Sequence, residues 1–141
     1  MTYNGKTVGP TLKVHPGDRV KITLVNNLTK ETSLHTHGLH VSPTQDDPFI
    51  MVEPGKSYTY IYDIPANHSA GTFWYHPHMH GVTAEQVASG LSGAILVEDM
   101  DDDSLTQTTN RVLVINDPPI TDKNPWDSAG SGMGGMGGMS G

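Results

Sequence analysis

Apolar and polar residues alternate along several short stretches of the chain. Residues 19–26 show the pattern most clearly, because Val20, Ile22 and Leu24 fall on one face and polar residues on the other. This period of two predicts half-buried strands. By this criterion strands are expected at 11–15, 19–26, 33–37, 57–64, 72–76, 93–98 and 111–116. Short strands separated by Gly and Pro turns predict an all-β, antiparallel Greek-key β-sandwich.

One short helix is predicted at residues 83–89. Thr83 is expected to cap its first turn together with Gln86, and Gly90 to end it. Residues 41–51 lack periodicity and are expected to form an irregular loop. His68 falls in a second predicted loop and is expected to be exposed.

Length and charge exclude several classes of protein. A chain of 141 residues is expected to form about one domain. The net charge of −7 and the absence of a Lys/Arg cluster argue against nucleic-acid binding. No apolar run is long enough to span a membrane. The chain has no cysteine, which rules out disulfides and thiolate metal sites within it.

The composition changes near residue 117. Residues 1–117 are predicted to form the folded domain, and residues 118–141 a Pro/Gly/Met-rich tail or linker. Such glycine density predicts a flexible segment. The tail carries Met133, Met136 and Met139 at regular spacing, and their thioethers are candidate ligands for Cu(I), although a plain linker also explains the pattern.

Six of the eight histidines fall in two short runs. The runs are His35-Thr36-His37-Gly38-Leu39-His40 and Trp74-Tyr75-His76-Pro77-His78-Met79-His80. Because side chains alternate along a strand, His35 and His37 share one face. The same alternation places His76, His78 and His80 on one face of the second run. If the runs lie on neighbouring strands, four or more imidazoles meet, which predicts a transition-metal site.

Imidazole ligands alone do not select the metal. Cu(II) binds such a ligand set more tightly than the other divalent ions of its row. The alternative is zinc held by three histidines and a water, as in a hydrolase or hydratase. Against zinc, the carboxylates that usually support its histidine ligands have no obvious position in the sequence.

Further motifs accompany the histidine runs between residues 3 and 116. They include Tyr3-Asn4-Gly5, Val14-His15-Pro16-Gly17-Asp18, Val25-Asn26-Asn27-Leu28, Val52-Glu53-Pro54-Gly55 and Gln86-Val87. With His35-Thr36-His37-Gly38 and Trp74-Tyr75-His76-Pro77-His78, this set resembles the first cupredoxin domain of a three-domain multicopper oxidase. The laccase-like and bacterial copper-efflux branch is the most similar. The resemblance implies a cupredoxin-like fold and a copper cofactor.

The resemblance also implies a ligand set. In that family the first histidine of the first motif binds the type 2 copper, which by position is His35. The second histidine, His37, binds the type 3 copper pair. Both histidines of the second motif, His76 and His78, bind the type 3 pair as well.

Other residues near these motifs are candidates for supporting roles. His40 and His80 are expected to be accessory ligands or neighbours of the ligands. In the family an acidic residue after the first motif helps to supply protons, and that position falls at Asp46 or Asp47.

The full family also requires a Cys-His-Met type 1 copper and further histidines from its last domain. The resemblance therefore implies half of a cluster that reduces dioxygen to water, while a phenol or Cu(I) is oxidised elsewhere. We expect little oxidase activity from the chain alone. Two chains paired through their histidine faces, as a homo-oligomer, would double the ligand number.

Two further expectations concern role and location. A non-catalytic copper carrier or buffer, with the methionine tail contributing, is the alternative function. The resemblance implies a periplasmic or extracellular location, although the first residues do not look like a secretory signal.

Overall fold

A computed structural model describes residues 1–98 and 111–116. Its elements are β1 (Leu12–Val14), β2 (Arg19–Val25), β3 (His35–His37), β4 (Ser57–Asp63), β5 (Gly71–His76), α1 (Thr83–Ala88) and β6 (Gly93–Val97). Each predicted strand before residue 98 is therefore present, within one or two residues of its expected ends. The predicted boundary at residue 117 lies outside the described residues and stays a prediction.

The strands form two sheets, consistent with the predicted cupredoxin-like β-sandwich. One sheet has the order β1-β6-β5-β3 and the other pairs β2 with β4. The pairs are antiparallel except for β1 and β6, which run parallel. The chain crosses to the other sheet directly after β1, so these two strands are not joined as a hairpin and need not be antiparallel.

The core lies between the two sheets. The inner face of β4 contributes Tyr60 and Tyr62, each 1% exposed, and β6 contributes Ile95. The ring of Tyr75 lies against Gly93, its partner on β6, where a Cβ atom would collide with it. This close approach requires glycine and anchors β5, the strand that carries the second histidine run.

Residues 111–116 were predicted to form a strand, and this prediction is wrong. The segment has no strand structure, and the side chains of Leu113 and Ile115 are 85% and 96% exposed. A β-branched apolar sequence favours a strand only where a neighbouring strand accepts its backbone hydrogen bonds.

The helix is present, but its predicted cap is wrong. The residue at the N-cap position is Val82, and no side chain caps the helix. The hydroxyl of Thr83 instead donates to the carbonyl of Met79 at 2.7 Å. Gln86 is fully buried and contacts the chain segment before β3, so it is not available to complete a capping box.

Within the described residues, no helix combines the length and apolar character needed to cross a membrane.

Candidate metal centre

Pairing of β3 with β5 brings the two histidine runs together. The register places His35 opposite His76 and His37 opposite Trp74. The ring of His35 lies 5.3 Å from that of His76 and 5.1 Å from that of His78, centroid to centroid. The prediction that the runs lie on neighbouring strands is therefore confirmed.

Three of these histidines can present one nitrogen each to a shared point. The nitrogens of His35, His37 and His76 lie within 4.8 Å of one another. Nδ1 of His37 and Nε2 of His76 are 3.3 Å apart. Two imidazole nitrogens that bind one ion at about 2.0–2.1 Å lie about 2.9–3.4 Å from each other, so the observed separation fits a shared ion.

The tautomer of His76 suits this role. Its Nδ1 lies 2.8 Å from the carbonyl oxygen of Pro77. Because a carbonyl can only accept a hydrogen bond, Nδ1 carries the proton and Nε2 keeps its lone pair in the neutral ring. A backbone bond to the second ring nitrogen is the usual way in which a metal-binding histidine is oriented.

Burial keeps two of the imidazoles uncharged. Burial, together with the neighbouring His78 and His37, lowers the pKa of His35 below the usual value despite the opposing effect of the Asp46 carboxylate. Burial also lowers the pKa of His76, against the opposing effect of the bond to Pro77. At neutral pH both rings are therefore neutral, the form that binds a metal ion.

A carboxylate stands behind His35. Oδ2 of Asp46 lies 2.9 Å from Nδ1 of His35, although the N–H direction is poorly aligned for a hydrogen bond. The same carboxylate accepts hydrogen bonds from the backbone N–H and the hydroxyl of Thr36. The expectation that no carboxylate supports the histidines is therefore wrong, because the irregular loop after β3 folds back over the strand.

The two acidic candidates differ in what they contact. The Asp47 side chain accepts a hydrogen bond from the backbone N–H of Phe49, two residues ahead, and so closes a local turn. Only Asp46 has a described contact with the histidine cluster, through His35. The sequence could not separate the two, because both follow the same motif at similar spacing.

His78 lies beyond the end of β5 and depends on a separate anchor. Its backbone N–H donates to the hydroxyl of Ser33 at 2.9 Å. Ser33 is itself buried, two residues before the first histidine run. The neighbouring Thr32 donates its hydroxyl proton to the buried side chain of Gln86 at 2.8 Å, which ties α1 to this segment. Sequence reasoning missed Ser33 and gave Gln86 a capping role instead, since neither residue carries metal-binding chemistry.

The remaining histidines are placed differently. The backbone N–H of His40 donates to Nε2 of His68 at 3.1 Å, and the two rings are 5.1 Å apart. His68 is only 6% exposed, so the prediction of an exposed residue is wrong; it packs on Phe73 and links two loops. Among the described residues, the converging set of metal-capable nitrogens includes neither His40 nor His80. Met133, Met136 and Met139 lie outside the described residues.

Comparisons with known proteins agree on one family. The profile of the multicopper oxidase family matches residues 1–102. The chain is 46% identical over 100 residues to multicopper oxidase mco of Staphylococcus haemolyticus, covering 70% of this chain and 22% of that protein. It is 30% identical over 128 residues to copper resistance protein A of Escherichia coli, covering 88% of this chain and 20% of that protein.

Solved structures give the same result. The multicopper oxidase of Campylobacter jejuni, described as a metallo-oxidase, superposes with a TM-score of 0.67 at 40% identity. The match covers 72% of this chain and 21% of that one. The chain thus spans about a fifth of the length of the relatives it matches.

Proposed function

The chain belongs to the multicopper oxidase family, as a first cupredoxin domain, and we propose that it supplies four histidines to a copper cluster that reduces dioxygen. The proposed ligands are His35, His37, His76 and His78. The observation that carries the proposal is the 3.3 Å separation between Nδ1 of His37 and Nε2 of His76. The relatives compared above carry copper in their names, which favours copper over zinc.

The geometry supports a division of the four ligands. Nδ1 of His37 and Nε2 of His76 face each other at 3.3 Å, within hydrogen-bond distance, and the two histidines are proposed to share one ion of a type 3 pair. His78 is displaced from His76, with ring centroids 6.3 Å apart, and is proposed to serve the second ion of that pair. His35, the histidine with a carboxylate behind it, is proposed for the type 2 copper.

Copper bound at these residues supplies the electron transfer by which the full-length family reduces dioxygen to water. The chain's own residues hold the imidazoles neutral and oriented. We propose that Asp46 rather than Asp47 relays the protons that the reaction consumes. Its side chain is 10% exposed and lies against His35, so a proton there is close to the site yet reachable from solvent.

The site is incomplete within the described residues. Two nitrogens per ion leave further coordination positions open, and without a cysteine this chain cannot form a Cys-His-Met electron-entry site. We propose that the missing ligands come from another domain in the full-length family. In the isolated chain, a second copy docked through the same histidine face would supply them.

We further propose a periplasmic or extracellular location, in keeping with the family resemblance. The non-catalytic copper carrier remains the alternative function.

The test combines three measurements on the copper-loaded chain: copper per chain, the electron paramagnetic resonance signal, and the molar mass in solution. A shared cluster is supported by a dimer in which part of the copper gives no electron paramagnetic resonance signal, because neighbouring Cu(II) ions are magnetically coupled. A monomer whose single Cu(II) is fully visible contradicts pairing of chains and favours the carrier function. Absence of tightly bound copper contradicts the proposed function as a whole.

A further inference from the structure

We propose that Trp74 is a positioning residue of the metal centre, because its indole ring lies across the imidazoles of both His37 and His76. The inference rests on the proposed function, since those two histidines are the proposed shared ligands of one ion. It gives a specific role to the first residue of the second histidine run, two positions before His76.

The strand pairing explains why the three rings meet. Trp74 and His76 are two residues apart on β5 and therefore point to the same face of the sheet. His37 is the residue directly opposite Trp74 on β3. Opposite side chains on antiparallel strands are close neighbours, so Trp74 contacts one histidine along its strand and another across the sheet.

The rings stack rather than merely touch. The indole and the His76 imidazole have centroids 4.0 Å apart with an angle of 23° between their planes. The indole and the His37 imidazole are 5.2 Å apart at an angle of 25°. Because one rigid plane lies nearly parallel to both imidazoles, turning either ring about its side-chain bond brings it against the indole. This restriction keeps Nδ1 of His37 and Nε2 of His76 facing each other.

Core packing does not account for this position. Trp74 is 38% exposed and does not belong to the hydrophobic core cluster found among the described residues. The apolar surface of its ring contacts the imidazoles of His37 and His76. Its ring contacts are therefore best explained by the histidines.

Stacking also favours the metal-bound state. An ion withdraws electron density from the imidazoles that bind it, which makes those rings partly cationic. The face of an indole attracts cations through its quadrupole. The contact thus strengthens when the ion binds. Trp74 therefore raises metal affinity, in addition to orienting His37 and His76 before the ion binds.

The experiment measures zinc affinity of the full chain, because zinc reports on binding without redox activity. Trp74→Leu removes the aromatic face, and Trp74→Phe retains a smaller one. Tyr58→Leu is the matched control, since Tyr58 is a strand aromatic of similar exposure (42%) that packs edge-to-face against Tyr60 and contacts no histidine ring in the described part of the chain. We expect zinc affinity to fall about tenfold in Trp74→Leu, to recover partly in Trp74→Phe, and to stay unchanged in the control.

A second readout follows the ring itself. In a Trp126→Phe background Trp74 is the only tryptophan, and its fluorescence should change with zinc over the same range as binding. Binding without any change in that fluorescence, or equal affinity in wild type and Trp74→Leu, would overturn the positioning role while leaving the metal site standing. Failure of the wild-type chain to bind zinc or copper would overturn the proposed function and this inference together.

Discussion

The carboxylate of Asp46 lies 2.9 Å from Nδ1 of His35 while it accepts two hydrogen bonds from Thr36. Thr36 lies between His35 and His37, so the loop after β3 is fastened to the strand that it must support. Groups behind a metal-binding histidine orient its ring and raise its basicity.

Replacing this carboxylate is expected to weaken metal binding. Asp46→Asn should lower copper affinity by about 10- to 100-fold, because it removes the negative charge behind His35. Asp47→Asn is the control, since Asp47 bonds only to its own loop at Phe49 N–H, a contact that asparagine can keep. Equilibrium titration with copper measures both, and equal losses in the two variants would contradict the role assigned to Asp46.

The bond from the His78 N–H to the hydroxyl of Ser33 gives a second prediction. His78 follows Pro77 and lies outside β5, so the sheet does not hold it in place. Ser33→Ala should weaken copper binding by about tenfold, because the His78 backbone N–H loses its acceptor. Ser57→Ala, at an exposed serine on β4, should have no effect. Competition with a chelator of known affinity measures the difference.

Two neighbouring buried tyrosines are expected to respond oppositely to loss of their hydroxyl groups. The Tyr60 hydroxyl accepts a hydrogen bond from the Leu34 N–H at 3.0 Å, whereas the Tyr62 hydroxyl is buried without a hydrogen-bond partner among the described residues. Tyr60→Phe should lower the free energy of unfolding by about 1–2 kcal/mol, because it leaves the buried Leu34 N–H without its acceptor. Tyr62→Phe should leave it unchanged or raise it by up to about 1 kcal/mol.

Urea unfolding of the two variants provides the measurement. The ring volume is the same in both substitutions, so each serves as the control for the other. A larger loss in Tyr62→Phe than in Tyr60→Phe would show that the hydroxyl of Tyr62 has a partner.

The tyrosines also predict a loss of stability at alkaline pH. Burial raises the pKa of Tyr60 and of Tyr75 to about 12, compared with about 10 in an unfolded chain. Below about pH 10 both states are neutral and the full stability is present. As the pH rises further, the unfolded state ionises first, so stability is lost progressively through about pH 12.

The midpoint of urea unfolding should therefore fall as the pH rises from about 10 to about 12. Over the same range, Tyr60 and Tyr75 should add little tyrosinate absorbance in the folded protein. Full ionisation of all tyrosines in the folded protein near their ordinary pKa would contradict the burial of Tyr60 and Tyr75.

The sequence predicted those parts of the structure that depend on local pattern. Alternation along β2 predicted that Val20, Ile22 and Leu24 face the core, and the spacing of His35 and His37 predicted that these two imidazoles share a face. Both follow from the two-residue period of a strand, which needs no knowledge of distant partners.

Features that depend on tertiary contacts were not predictable in the same way. The choice of Asp46 over Asp47 depends on how an irregular loop folds back, and the burial of His68 depends on its contact with the His40 backbone. Residues 111–116 have strand propensity but pair with none of the described strands. Trp74 gains its role only from the register between β3 and β5, and Ser33 from the path of the chain after Pro77.

The most direct test of the central claim is a copper titration of His37→Gln and His76→Gln against the wild-type chain. His15→Gln is the control, because the described contacts of the His15 side chain are with Asp18 and Glu98, away from the cluster. If His37 and His76 share one ion, each substitution should weaken binding at that ion by more than about 100-fold, beyond the loss expected for a supporting residue. Copper affinity that is unchanged in either variant, or lowered equally in His15→Gln, would contradict a metal centre built on these two histidines.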